Sequence, residues 1–316
     1  MKRISCFTIL RDTLSQGYPF VESIISAMPL CDEFVISDGY SNDGTYEILK
    51  ELAELYPQIK LYRDKWMLNN KNTKENGILA EMTNIARGRC SSDYLFYIQA
   101  NEVVHEKSIR QLRELPSHSR SGVEMYHLPY LLIMGKDLNF SEEFRSRLVA
   151  NKKEIGAIND ATHLVYHRKT IKGYLMHAVM NPLSFMDKLD ALMNPYQPGV
   201  DGINRPYIHV NMVAPMFRYY GIYKKNYLKK LAGHMQTGSA ANELYSELTS
   251  KLNGSSEGDF PMTYYKVMMK YSKGSYFEVP QILPAREHPK LMIGLFKRCT
   301  ERYAVREELL ERPYYR

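Results

Sequence analysis

Two short polar runs, Asp38-Gly39 and Gln99-Ala100-Asn101-Glu102, interrupt the chain directly after apolar segments. Carboxylates and amides there can hydrogen-bond a polar ligand, and open α/β sheets bind ligands outside the carboxyl ends of their strands. A polar turn would explain either run alone. Two of them at equivalent strand ends favour one shared crevice. Asp43 precedes an apolar-periodic stretch, where an acceptor side chain either caps free helix amides or meets a ligand. Further along, residues 202 to 242 contain no Asp or Glu but carry Arg205, Arg218, Lys224, Lys225, Lys229 and Lys230, interleaved with Tyr207, Tyr219, Tyr220, Tyr223 and Tyr227. Such a stretch can offset phosphate charge and stack on bases or sugar rings. At helical spacing Tyr220, Tyr223 and Tyr227 equally make a core face. His163, His167 and His177 lack metal-ligand periodicity and read as ordinary strand or loop residues.

The elements needed to position these groups are legible in the first ~115 residues, where strand and helix patterns alternate as in a parallel, doubly wound sheet. Ile4 to Leu10 is an apolar run suited to a buried strand. Tyr18 to Met28 follows as a helix with Pro19 near its first turn. Glu33 to Ser37 is a second strand that breaks at Asp38. Ile48, Leu49, Leu52 and Leu55 recur at helical spacing and Pro57 ends that helix. Ile59 to Tyr62 is a third strand. Ile78, Met82 and Ile85 mark a helix closed by Gly88, and Tyr94 to Ile98 is a fourth strand. Beyond residue 120, Met125 to Met134 and Arg147 to Val149 read as strands, and residues 155 to 215 as long loops. Tyr219 to His234 reads as a basic helix, and Pro289 to Glu311 as a mixed-charge helix. No internal repeat is present.

Composition bounds the class. The 316 residues carry 42 Lys+Arg against 35 Asp+Glu, a formal charge of +7, with 44% hydrophobic and 24% charged residues, which excludes wholesale disorder. No apolar run approaches the ~18 residues of a membrane span, and Arg11 and Asp12 interrupt the start, so no secretory leader is expected. Cys6, Cys31, Cys90 and Cys299 are scattered without a metal or disulfide pattern, which suggests reduced thiols and a cytoplasmic compartment. The pI of about 9.0 points toward a polyanionic partner or toward surplus charge for solubility. Leu10 to Leu14 holds no G-x-G-x-x-G turn, which disfavours a dinucleotide-binding dehydrogenase. Nothing bears on oligomeric state.

Several segments together resemble family 2 glycosyltransferases of the GT-A fold. Glu33 to Thr45 (EFVISDGYSNDGT) is similar to that family's strand-loop-helix segment with its Asp-Gly-Thr. Asp93 to Glu106 resembles its strand and D-x-D region, which one branch writes Gln-Ala-Asp-Glu. Glu81 to Ala86 is similar to the helix bearing an Asn near the donor, here Asn84. Arg145 to Val149 with Ile158 to Ala161 looks like the acceptor-side segment that supplies an acidic residue. Phe217 to Gly221 is like a late His-Tyr-Gly motif. The likeness covers roughly residues 3 to 235 and is most specific over the first ~110.

The resemblance implies an α/β, GT-A (Rossmann-like), mostly parallel central sheet flanked by helices, with an irregular and helical C-terminal half. Residues 1–115 would be the donor-binding half, 116–235 the acceptor-side half and 236–316 a helical extension. It implies an inverting transfer from a nucleotide-sugar donor to an acceptor hydroxyl. Asp38, Asp43, Asn84, Gln99, Asn101, Arg218, Lys224 and Lys225 would serve the donor. Asp160, or else Asp201, would be the general base. The family commonly uses magnesium or manganese on its D-x-D carboxylates. Here Gln99 and Asn101 replace both carboxylates and Tyr219 replaces the late His, leaving Asn101 and Glu102 as the metal candidates. The expectation is therefore weak or absent metal dependence, with Arg218, Lys224 and Lys225 offsetting the diphosphate charge. A glycan or lipid-linked glycan is the first acceptor class and hydroxylated DNA the second. A nucleotide-binding scaffold without turnover is the competing reading.

Overall fold

The computed structural model describes residues 2–66, 75–118, 123–134, 138–158, 160–166, 207–220, 239–253, 267, 281–283 and 287–298. The chain starts with β1 (Ile4–Leu10), α1 (Phe20–Ala27), β2 (Glu33–Asp38), α2 (Thr45–Leu55), β3 (Ile59–Arg63), α3 (Glu75–Gly88) and β4 (Tyr94–Tyr97). It continues through β5 (Glu102–Val103), α4 (Ile109–His118), β6 (Met125–Met134), β7 (Leu138–Ala150), β8 (Ile155–Ala157) and β9 (Leu164–Tyr166). β10 (Tyr207–His209), β11 (Met216–Tyr220), a helix Ser239–Asn253, β12 (Gln281–Ile282) and a helix Lys290–Arg298 complete the described elements.

The large sheet runs β3-β2-β1-β4-β7-β6-β11-β5, with β10 added on β6 and β12 on β7; β8 and β9 form a separate ribbon. β3, β2, β1 and β4 are all parallel, with helical crossovers from β1 to β2, β2 to β3 and β3 to β4. Helices on both faces explain why β1 and β2 are buried at every position, with no alternation of apolar and exposed residues. One face packs Ile4, Cys6, Leu10, Phe34, Ile36 and Phe96. The other packs Phe7, Ile9, Val35, Leu95, Tyr97, Ile78 and Met82. The fold is α/β, of the GT-A, Rossmann-like type. β7 then runs antiparallel to β4 and forms a long hairpin with β6, so one sheet continues across residue 115.

The first half follows the sequence pattern closely, and α2 begins and ends where Asp43 and Pro57 require. Gly44, at φ 95°, makes the left-handed step into α2 that a side chain would strain. Leu55 and Ile85 depart from their expected apolar faces, at 72% and 36% exposure, while Ala86 takes the buried position on its helix. The basic helix expected from Tyr219 is corrected at its start. Tyr219 and Tyr220 end β11, paired with Ile133 and Met134 of β6, because an open edge there leaves ladder groups unpaired and overrides the local spacing. Residues 221–234, Cys299 and the tail after Arg298 lie outside the described residues.

Candidate active site

Parallel pairing puts the carboxyl ends of β2, β1 and β4 at one sheet edge. Leu10 pairs with Asp38 across β1 and β2, and β4 flanks β1 on the other side. The two polar interruptions therefore stand two strand spacings apart, about 10 Å. Ser23 Oγ of α1 donates to the Gln99 carbonyl at 2.9 Å, tying α1 to the turn after β4.

At the β2 end the Asp38 carboxylate is fully buried and salt-bridged to Arg63 Nε at 3.0 Å, and it accepts the Ser41 amide at 3.2 Å. Arg63 comes from the paired position on β3. Its Nη2 donates to the Ser41 carbonyl, and its guanidinium carbon lies 4.5 Å from the Tyr40 ring centroid and 3.9 Å from that of Tyr46. Tyr40 is 54% exposed and holds φ 58°, a left-handed step that costs an aromatic residue about 1–3 kcal/mol. The loops after β1 and β2 are stitched together. Asp12, at φ 49°, accepts from the Asn42 amide and donates its own amide to Ser41 Oγ. Asp43 accepts from the Ser15 amide at 2.7 Å and the Thr45 amide at 3.0 Å. Burial would raise its pKa, but these hydrogen bonds outweigh that and hold it below the usual carboxylate range. Asp43, just ahead of the Gly44 cap, thus holds the first amide of α2 and joins two loops.

Trp66, the chain's one tryptophan, covers Gly39. A Cβ on Gly39 would lie 2.7 Å from the Trp66 ring nitrogen and 2.9 Å from Arg11 Cβ. That nitrogen is buried with no hydrogen-bond partner among the described residues. Gly39→Ala is expected to push the indole aside at a cost of about 1–3 kcal/mol. A lowered melting temperature with a shifted tryptophan emission maximum checks this; an unchanged emission contradicts it.

At the β4 end, Gln99 Nε2 donates to the Ala161 carbonyl at 3.3 Å, and Asn101 Nδ2 donates to the Tyr219 carbonyl at 3.2 Å. Glu102 is fully buried, and both its oxygens are engaged. Arg147 Nη2 meets Oε1 at 2.6 Å. Arg147 Nε, the Tyr130 hydroxyl and the Gln99 amide meet Oε2 at 3.1, 3.2 and 3.0 Å. Burial would raise the Glu102 pKa, but Arg147 and the Arg218 guanidinium, 3.9 Å away, lower it on balance. Among the described residues no group of three His, Cys, Asp or Glu could hold a metal ion. With both Glu102 oxygens engaged and Asn101 offering a single neutral side-chain oxygen, the turn as folded presents no free carboxylate to a divalent cation.

Asn84 clamps the backbone of Ala157 with both amide atoms, and so holds β8 on α3. The loop that follows carries Asp160, which is exposed and accepts the Thr162 amide at 3.0 Å. His163 beside it is pushed down to about 3 by burial and then by Arg147 and Arg145, so it stays neutral at pH 7. The structure therefore gathers Asp38, Asp43, Gln99, Asn101, Glu102, Arg218 and the Asp160 loop along one edge, with Asn84 behind. Asp201, Lys224 and Lys225 lie outside the described residues. Sequence reasoning passed over Arg63, Tyr40, Trp66, Tyr130 and Arg147. It also missed His288, whose Nδ1 stands 2.9 Å from the Tyr219 hydroxyl. Only Arg63 left a signal, as the charged residue ending β3.

No family model and no curated protein matches the chain. Among solved structures it is similar to residues 1–349 of TarS from S. aureus, with 11% identity over 86% of this chain and 73% of that one, and a TM-score of 0.36. The same protein in complex with UDP gives 10% identity over 93% and 87%, also at 0.36. The mannosyltransferase PcManGT from Pyrobaculum calidifontis, in complex with GDP-Man and Mn2+, gives 10% identity over 87% and 76%, at 0.39. Scores this low leave function to be argued from this chain's own residues. No described helix is long and apolar enough to cross a membrane.

Proposed function

We propose that this chain is an inverting, nucleotide-sugar-dependent glycosyltransferase. The observation that carries the reading is the placement of Asp38 and the Gln99–Glu102 turn on either side of β1, at the carboxyl edge of a parallel sheet. The donor base lies at the β2 end, where Asp38 acts through the Arg63 and Ser41 that it holds. The diphosphate lies toward the Gln99–Asn101 turn, its charge offset by Arg218, Lys224 and Lys225 in place of a cation. Asp160 takes the proton of the acceptor hydroxyl, with Asp201 as the second candidate base. The acceptor oxygen then bonds to the anomeric carbon as the carbon–oxygen bond to the diphosphate breaks on the opposite face. Nucleoside diphosphate leaves and the configuration inverts. Residues 1–115 serve the donor, 116–235 the acceptor, and 236–316 extend the domain.

The acceptor class assigned is a glycan or lipid-linked glycan; hydroxylated DNA is the alternative that the basic stretch of residues 202–242 supports. Nucleoside diphosphate release from UDP-glucose, UDP-N-acetylglucosamine and GDP-mannose, with alkyl glycosides or hydroxymethylated DNA as acceptor, tests the reading. Turnover of one donor that survives a strong chelator within about threefold is expected. Loss on chelation that added manganese restores overturns the metal-free part. Donor binding without any turnover replaces the enzyme with a nucleotide-binding scaffold.

A further inference from the structure

The site is built on two separate loops, the turn Gln99–Glu102 after β4 and the segment between β8 and β9 that carries Asp160. One side chain ties them. Arg147 on β7 is fully buried, and each of its three guanidinium nitrogens is used. Nη2 and Nε go to the two oxygens of Glu102 at 2.6 and 3.1 Å, while Nη1 donates to the Thr162 carbonyl at 2.6 Å. The amide of Thr162 in turn donates to Asp160 Oδ1 at 3.0 Å. Glu102 carboxylate, Arg147 guanidinium, Thr162 and Asp160 carboxylate thus form one continuous series. Gln99 closes it into a ring, with its amide on Glu102 and its side chain on the Ala161 carbonyl. The rings of Tyr97 and Tyr130 flank the guanidinium carbon at 4.9 and 5.5 Å.

Stability alone does not account for this arrangement. A buried ion pair is commonly no better than well-packed apolar residues of equal volume. The bond from Nη1 to Thr162 also does nothing to neutralise Glu102. What it adds is geometry, because a planar fork fixed at three points sets one loop against the other.

We propose that Arg147 is a positioning residue that fixes Asp160 relative to the donor-side turn. It touches no substrate and acts through Thr162. The proposal rests on the reading of Asp160 as the general base, and the following variants separate the two.

Arg147→Lys keeps a charge for Glu102 but cannot reach Thr162 as well. Its kcat for nucleoside diphosphate release is expected to fall about 100-fold, the loss typical of a group displaced by about 1 Å. Donor KM and the donor affinity read from Trp66 fluorescence should stay within about threefold. Should Arg147→Lys fold poorly, E102Q/R147M removes both partners of the fully buried pair together; the same kcat loss is expected. In the Asp160→Asn background, Arg147→Lys should add no further loss, because two groups acting in series are not additive.

A kcat within threefold of wild type in either Arg147 variant, beside a slow Asp160→Asn, overturns the positioning role alone. So do losses from Arg147→Lys and Asp160→Asn that multiply. A fully active Asp160→Asn removes the base assignment, and the role of Arg147 falls with it.

Discussion

Glu102→Ala is expected to lower the unfolding free energy by about 3–5 kcal/mol, the loss seen when one partner of a buried ion pair is removed. The carboxylate is fully buried and receives four hydrogen bonds, from Arg147 Nη2, Arg147 Nε, the Tyr130 hydroxyl and the Gln99 amide. Deleting it strands the Arg147 guanidinium, which has no exposed surface through which water could replace the lost partner. Tyr130 and the Gln99 amide lose their acceptor in the same step, so the cost exceeds that of an ordinary surface pair. E102Q/R147M should recover most of the loss, because the requirement is charge balance in a closed space. Chemical denaturation with matched slopes for the three proteins measures both effects. A Glu102→Ala variant within about 1 kcal/mol of wild type would mean that the carboxylate is not held as described.

The second large effect lies at the opposite end of the sheet. Glu33 opens β2, almost completely buried, and accepts from Ser5 Oγ at 2.5 Å, from the Ser91 amide at 2.5 Å and hydroxyl at 2.8 Å, and from Lys60 Nζ at 2.5 Å. Burial would raise its pKa, but Lys60, Ser5 and Ser91 together outweigh that and lower it from 4.5 to about 2. A depressed folded pKa stabilises the fold above the unfolded value, and the contribution fades as pH falls through the folded value. The window is therefore from about 4.5 down to about 2. Glu33→Gln should cost about 2–3 kcal/mol at pH 7, and the gap from wild type should close as pH falls through that window. Denaturation of both proteins at pH 7 and pH 3 checks it, and a gap that stays constant with pH contradicts it.

The parallel half of the fold was legible because its signals are local. Ile4–Leu10 is one uninterrupted buried run, and Asp43 and Pro57 bracket α2 on either side. The later half depends on pairings that no local window contains. Tyr220 carries helical spacing with Tyr223 and Tyr227 but ends β11 because β6 offers it an edge. The site divides the same way. Asp38 and the Gln99–Glu102 turn stood out because each breaks an apolar strand. Arg147 lies in a run, Arg145 to Val149, whose sequence gives no sign that an arginine is buried against a glutamate 45 residues earlier. Tyr40 was equally hidden, since neither its left-handed backbone nor its stacking on Arg63 follows from residue type.

Trp66 lies against Gly39 and Arg11, which makes it a built-in reporter of the β2 end of the crevice. Titrating UDP-glucose, UDP-N-acetylglucosamine and GDP-mannose against its fluorescence, in wild type and in Asp38→Asn, tests the donor site most directly. A saturable change with one donor, competed by the matching nucleoside diphosphate and weakened at least tenfold in a folded Asp38→Asn, is the result predicted. An emission spectrum indifferent to every donor, or equal affinity in the variant, would contradict it.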